Sequence, residues 1–257
     1  MLYTVIGYRR KVIRTNLENS FPEKSKEEIR TIHRKFYRNF CDYLVETLKT
    51  FSISQDELDK RHTYSNSEVF EEIKAEKKNL MFMAGHIFNW EWYVGTAKIM
   101  GIENTVAVYH KIKNPFWNDK INAMRGKFGT VPMDMKDVLR HIMKVPNDGN
   151  HSFLFVADQS PKQSAVHYFI EFLNQRTPVF NGFDKIARKK NMGVIYAKTV
   201  KVKRGYYHTT FIRLEPKNEQ FEENEIVHQF FGHLEKTIQE HPDNWLWSHK
   251  RWKYANL

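Results

Sequence analysis

From residue 79 onward the chain alternates short apolar runs with stretches of helical periodicity, and this alternation limits the possible folds more than any other feature. The run Asn79-Leu80-Met81-Phe82-Met83-Ala84 is apolar after its first residue and stops at Gly85. A run that is apolar on both alternate sets of side chains reads as a strand buried on both faces of a parallel sheet. Beyond it the pattern predicts a helix over 87–100, a strand over 104–109, and helices over 114–127 and 135–144. Strands are expected over 151–157 and 167–173, a helix over 180–191, and strands over 192–200 and 206–214. A closing helix over 224–241 has Asn224 as its N-cap and Ile226, Phe230, Leu234 and Ile238 every fourth residue. Such an order implies an α/β sheet with helices on both faces.

The first fifty residues differ. Residues 4–17 read as a basic amphipathic helix carrying Val5, Tyr8, Val12 and Ile13, stopped by the turn Asn19-Ser20-Phe21-Pro22. Ser25 with Glu28 three residues later is a capping box. It opens a helix in which Ile29, Ile32, Phe36, Phe40 and Leu44 recur at steps of three and four, running to about residue 50. The polar stretch 52–76 holds short helical pieces at best. The expected organisation is a basic helical segment over 1–50 and one α/β domain over 51–257, with no repeat or disordered linker.

With 257 residues, 41% of them hydrophobic, and only 11 Gly and 8 Pro, the chain has enough apolar mass for a sizeable core. One cysteine, Cys41, excludes a disulfide framework and any all-cysteine metal site, and points to a reducing compartment. It falls near Phe40 and Leu44 on the apolar side of the long helix, as a packed thiol or, less in keeping with that place, a nucleophile. No stretch approaches the roughly 18 to 20 apolar residues of a membrane-spanning helix. The formal charge of +11 favours an anionic partner. Residues 1–50 alone carry eleven basic against six acidic residues. Near the other end, Trp245, Trp247, Trp252 and Tyr254 interleave with Lys250, Arg251 and Lys253. That mixture suits a membrane interface or a phosphate-bearing ligand, and equally a set of core tryptophans under a basic rim.

Several enzyme classes lose their usual warrant, because the sequence contains no G-x-G, no G-x-x-x-x-G-K, no G-x-S-x-G and no H-E-x-x-H. The informative segment is Gly85-His86-Ile87-Phe88-Asn89-Trp90-Glu91. His86 sits directly after a buried strand, at the edge where parallel sheets present functional groups. Five helical steps place two side chains about 140° apart, so Glu91 reaches His86 only if the histidine lies on the turn before the helix. That arrangement would be a histidine base held in one tautomer by a carboxylate. With no serine or cysteine placed beside it, such a base would take its proton from a substrate hydroxyl, which implies transfer to an alcohol. The same residues also fit a helix-capping histidine and a surface glutamate. Arg125 could hold a phosphate or a thioester oxyanion, or be a solvated arginine paired with Asp119 or Asp134. Asp158 and Gln159 follow a second apolar run at the same sheet edge, where Asp158 could serve the site or a turn.

His86-x-x-x-x-Glu91 after a strand, Arg125, Asp158-Gln159 after a second strand, and residues 244–253 (Asn-Trp-Leu-Trp-Ser-His-Lys-Arg-Trp-Lys) together resemble the lipid A biosynthesis (late) acyltransferases. The opening Gly7-Tyr8-Arg9-Arg10-Lys11-Val12-Ile13-Arg14 through Asn19-Ser20-Phe21-Pro22 fits the same family, so the resemblance spans nearly the whole chain. It implies a branch of the lysophospholipid/glycerolipid acyltransferase superfamily and the three-layer αβα fold of the glycerolipid acyltransferases, preceded here by the helical segment. It further implies an enzyme at the cytoplasmic face of a bacterial inner membrane. Such an enzyme moves a fatty acyl group from an acyl carrier protein thioester to a hydroxyl of a lipid A precursor, with no metal or organic cofactor. Carried across, His86 is the base, Glu91 its orienting partner, and Arg125 and Asp158 further catalytic residues. Asn89, Trp90, Tyr109, Trp117 and Gln159 are expected to bind substrate. Phe88, Trp92, Tyr93 and Phe116 join Trp90 and Trp117 as candidates for an acyl groove, though aromatic residues at helical spacing are also ordinary core.

The chain departs from the family in two respects. Members usually carry a hydrophobic anchoring helix before the Tyr-Arg-Arg segment, and here six residues precede Gly7. The expectation is either a removed anchor or attachment to an anionic membrane surface through the basic face. Glycerol phosphate acyltransferase relatives have Pro-Glu-Gly where this chain has Asp158-Gln159, which shifts the expected acceptor toward lipid A. Two other readings stand beside this one. The same chemistry could act on a lysophospholipid or aminoacyl lipid. From a different class, a basic protein could bind anionic lipid or nucleic acid, although no nucleic-acid motif is present and no nucleic-acid partner is expected.

Overall fold

The protein is described from a computed structural model covering residues 7–257. The start of the first expected helix, residues 4–6, lies outside the described residues. Helix α1 (Arg10–Ser20) packs on α2 (Lys26–Thr50), which opens with the expected capping box: the Ser25 side chain accepts from the Glu28 main-chain N–H, and Glu28 accepts in return from the Ser25 N–H.

A seven-stranded sheet forms the centre. Its strands are β1 (His62–Ser65), β2 (Leu80–Ala84), β3 (Asn104–Tyr109), β4 (Thr130–Asp134), β5 (His151–Val156), β8 (Gly193–Lys203) and β9 (Tyr206–Leu214), ordered β1-β9-β8-β2-β5-β3-β4. The five strands from β8 to β4 run parallel, whereas β9 returns antiparallel to β8 and carries β1 parallel to itself. β6 (Tyr168–Phe172) and β7 (Gln175–Val179) form a separate antiparallel ribbon. The expected strand at 167–173 therefore belongs to this ribbon and not to the main sheet.

Successive side chains of a strand point to opposite faces, and β2 shows why its sequence is apolar throughout. Met81 and Met83 enter one core with Phe153, Tyr196 and, from α9 (Glu225–Glu240), Phe230 and Leu234. Leu80 and Phe82 enter a second core with Leu154, Ile195 and, from α4 (Glu68–Ala75), Phe70 and Ile73. Helices thus cover both faces. The remaining helices are α3 (Gln55–Arg61), α5 (Ala97–Met100), α6 (Pro115–Gly126), α7 (Met135–Lys144) and α8 (Gly182–Lys189).

The segment expected as one helix over 87–100 is broken. Ile87 forms an isolated bridge and the chain bends at residues 88 and 89, Trp90–Thr96 is a 3₁₀ turn, and only Ala97–Met100 is α-helical. Two main-chain bonds hold the start open: Phe88 N–H donates to Asn244 O, and Leu246 N–H to His86 O. With Ile87 bridged to Trp245, this short antiparallel contact prevents helix at 87. Every residue from Glu91 to Thr96 is buried, so the segment lacks the solvent face of a surface helix.

Candidate active site

Ala84 and Val156 are partners in the parallel register of β2 and β5. Two residues further along each strand, His86 and Asp158 leave the same sheet edge side by side. Gly85, directly before His86, permits the close approach of α9, since a Cβ there would lie 2.5 Å from the Leu234 side chain.

Asp158 is 1% exposed and fully engaged. Its Oδ1 lies 2.5 Å from His86 Nδ1, and its Oδ2 accepts from the His86 main-chain N–H (2.9 Å) and from the Trp245 indole N–H (2.6 Å). Burial opposes its charge, but the facing His86 and the donated hydrogen bonds outweigh that penalty and hold the carboxyl down to about 2. An ionised carboxylate is only an acceptor, so the proton between them sits on His86 Nδ1 and Nε2 keeps its lone pair. Gln159 Nε2 is 3.0 Å from that Nε2 and donates to it. The Trp90 ring stands edge-on to the imidazole, 5.0 Å away.

The carboxylate that orients His86 is thus Asp158, and the expected pairing with Glu91 does not form. Asn89 caps the 3₁₀ turn by accepting from the Glu91 N–H at 3.1 Å, and the tight turn sends the Glu91 side chain toward α6. There Glu91 takes both Arg125 Nε (3.0 Å) and Nη2 (2.8 Å) in a forked ion pair, 9% and 19% exposed. Burial works against the Arg125 charge, but the Glu91 carboxylate more than restores it and raises the guanidinium's pKa above its ordinary value. Arg125 therefore pairs with neither Asp119 nor Asp134.

The other expected substrate contacts divide. Trp90 and Gln159 line a cavity of about 290 Å³ beside His86, together with Tyr8, Arg9, Tyr43 and His249. Aromatic stacking extends its wall, with Tyr43 4.1 Å from Trp90 and Tyr8 5.7 Å from Phe40 between ring centres. Asn89 is buried, its amide spent on the Glu91 cap and on a 3.4 Å bond to Glu46. Tyr109 accepts from Asn122 Nδ2 and lies beneath the Arg125 guanidinium. Trp117 and Phe116 stand exposed on α6, whereas Phe88, Trp92 and Tyr93 are core.

Trp245, placed on the sequence as interface anchor or core, is 2% exposed and belongs to the site through its bond to Asp158. Trp247 and Arg251 are also buried. Cys41 is exposed on α2, contrary to the packed thiol expected of it. Among the described residues, no group of three or more His, Cys, Asp or Glu could hold a metal ion, and no helix is long and apolar enough to cross a membrane.

A histidine held in one tautomer by a buried carboxylate, its unprotonated nitrogen covered by the Gln159 amide next to an aromatic-lined cavity, defines a site equipped for general base chemistry on a hydroxyl. The family model for bacterial lipid A biosynthesis acyltransferase matches residues 1–254, and the chain belongs to that family. It is an acyltransferase of lipid A biosynthesis. Among curated proteins it is similar to lipid A biosynthesis acyltransferase 2 of Shigella flexneri, at 21% identity over 235 residues, covering 90% of this chain and 74% of the relative.

Proposed function

We propose that this chain transfers a fatty acyl group from an acyl carrier protein thioester to a hydroxyl of a lipid A precursor, directly and with His86 as the base. The reading rests on Asp158, a buried and ionised carboxylate that keeps the proton on His86 Nδ1 and leaves Nε2 open to accept another. The acceptor hydroxyl gives its proton to Nε2 as its oxygen adds to the thioester carbonyl carbon. Asp158 stabilises the imidazolium so formed. When the carbon–sulfur bond breaks, the carrier thiolate leaves and recovers that proton, so no acyl-enzyme forms and no cofactor is consumed.

The aromatic cavity beside Trp90 receives the acyl chain at its thioester end. Gln159 yields its hydrogen bond to His86 as the hydroxyl arrives. Glu91 and Arg125, joined in a forked ion pair, brace the turn after His86 against α6 and so hold the wall of the site. The +11 surface favours work against an anionic bilayer, at the cytoplasmic face of an inner membrane where carrier protein and precursor meet. The helices on the two faces of the mostly parallel sheet are consistent with the three-layer arrangement of glycerolipid acyltransferases.

The test is release of carrier thiol from a panel of acyl carrier protein thioesters, with and without a lipid A precursor. The wild-type protein is expected to require the precursor, and His86→Ala to lose about 10²- to 10⁴-fold in rate, the usual contribution of general base catalysis, while keeping its thermal transition. Precursor-independent release, or an alanine variant with near wild-type turnover, would discard the mechanism.

A further inference from the structure

Three consecutive residues after β5 hold two imidazoles. Asp158 and Gln159 engage His86, and the Ser160 main-chain N–H donates to His249 Nε2 at 3.1 Å. Because that nitrogen accepts, the proton of a neutral His249 ring is on Nδ1. Among the described residues none hydrogen-bonds to this Nδ1, and it is not one of the buried atoms left without a partner. His249 lines the same cavity as Gln159 and Trp90, so its free N–H has access to open space beside His86. The position is firmly built: Asn16 of α1 donates to the main-chain oxygens of both Trp247 (2.8 Å) and His249 (3.0 Å).

We propose that His249 is a second catalytic histidine, its Nδ1–H donating to the carbonyl oxygen of the donor thioester and to the oxyanion that develops there. This rests on the acyl-transfer reading given above. The hydroxyl proton goes to His86 Nε2, the carbonyl electron pair moves onto the oxygen facing His249, and collapse expels the thiolate, which takes the proton from His86. His249 keeps its own proton throughout. A neutral donor suits the task, and burial drives the ring's pKa down to about 4; Asp158 pulls upward, but His86, Arg251 and Lys253 add to the effect of burial. At neutral pH the ring is an imidazole that cannot act as a competing acid.

Two substitutions separate this role from a merely structural one. In His249→Gln, Oε1 can replace Nε2 as the acceptor for Ser160, which keeps the loop but removes the donor at Nδ1. In His249→Asn, the amide nitrogen stands near the position of Nδ1, which keeps the donor and loses the loop contact. We expect kcat of the glutamine variant to fall about 10²- to 10³-fold, the usual cost of losing one oxyanion donor. Its KM for the donor should change little, and the asparagine variant should remain within about tenfold of wild type. The opposite order, or equal loss in both, would overturn the proposal. Nitrogen-15 spectra of the wild-type imidazoles give a check that needs no variant: His249 should be protonated at Nδ1 and bare at Nε2 at pH 7, and the other tautomer would also overturn it. Wild-type and His86→Ala assays run alongside keep the two ideas apart. Failure of precursor-dependent thiol release in the wild type sinks the acyl-transfer reading without involving His249.

Discussion

Asp158 and Glu91 are both buried acids close to the sheet edge that carries His86, yet they are held in different ways. Asp158 comes off a central strand whose register with β2 is fixed by main-chain bonds, and three donors from His86 and Trp245 converge on it. Glu91 stands on a 3₁₀ turn and depends on a single arginine from α6. Sheet register positions a pair of side chains through the backbone, whereas a loop-to-helix ion pair positions itself only through its own contact. One carboxylate should therefore carry the chemistry and the other should mainly hold the walls.

The sharpest division comes from Asp158→Asn. It keeps the shape but allows His86 the wrong tautomer, and kcat should fall by about 10³- to 10⁴-fold, as when the acid of a catalytic triad is amidated. A loss within tenfold would erase the distinction between the two acids. Glu91→Gln should show the reverse balance. It leaves a mostly buried guanidinium unpaired, so denaturant titration should register a loss of about 3–5 kcal/mol, while the pH dependence of kcat keeps its shape. Replacing both partners, as Glu91→Gln with Arg125→Met, should restore much of that stability, because the stranded charge is gone. A double variant less stable than the single one would contradict this account of the pair.

The smallest effect is expected from Trp245→Phe, which deletes one donor to Asp158. Asp158 has a folded-state pKa near 2, below the ordinary carboxylate value of about 3.9. Its stabilisation is therefore present above about pH 4 and is lost as the pH falls toward 2. Without the indole that pKa rises, the lost bond to a charged group weakens the fold by about 1.5–3 kcal/mol, and acid unfolding should begin at higher pH. Acid titration followed by circular dichroism would read the shift; an unchanged acid midpoint would mean that the indole does not help hold the charge.

Much of this geometry was legible in the sequence. The apolar runs ending at Gly85 and Ala157 are long and uninterrupted because β2 and β5 are buried on both faces, and they put His86 and Asp158 at one edge. Edge elements were silent: β1 is short and half polar, and β4 carries Pro132 and an exposed Val131, so neither shows the apolar signature of a covered strand. The partner of His86 is not legible in the same way, because closeness along the chain is not closeness in space. Parallel register links residues 72 positions apart more firmly than a turn links residues five apart. Trp245 could not be assigned from sequence because an indole bonding to a carboxylate and an indole packing in a core look alike in one dimension. A tryptophan beside Asn244, in a segment too short and too polar for a helix, was the available hint.

The bonds from Asn244 and Leu246 back to the His86 loop, and from Asn16 to Trp247 and His249, carry a consequence for biosynthesis. β2 and β5 are synthesised well before residues 244–249, so until that segment arrives the His86 loop lacks its main-chain anchors and Asp158 lacks its indole donor. Domains fold as units, and the edge that carries His86 is complete only with a segment more than 150 residues downstream of it. The last piece of that edge to be made is thus one short tryptophan-rich segment, whose docking supplies the Trp245 indole to Asp158 and the main-chain bonds to the His86 loop.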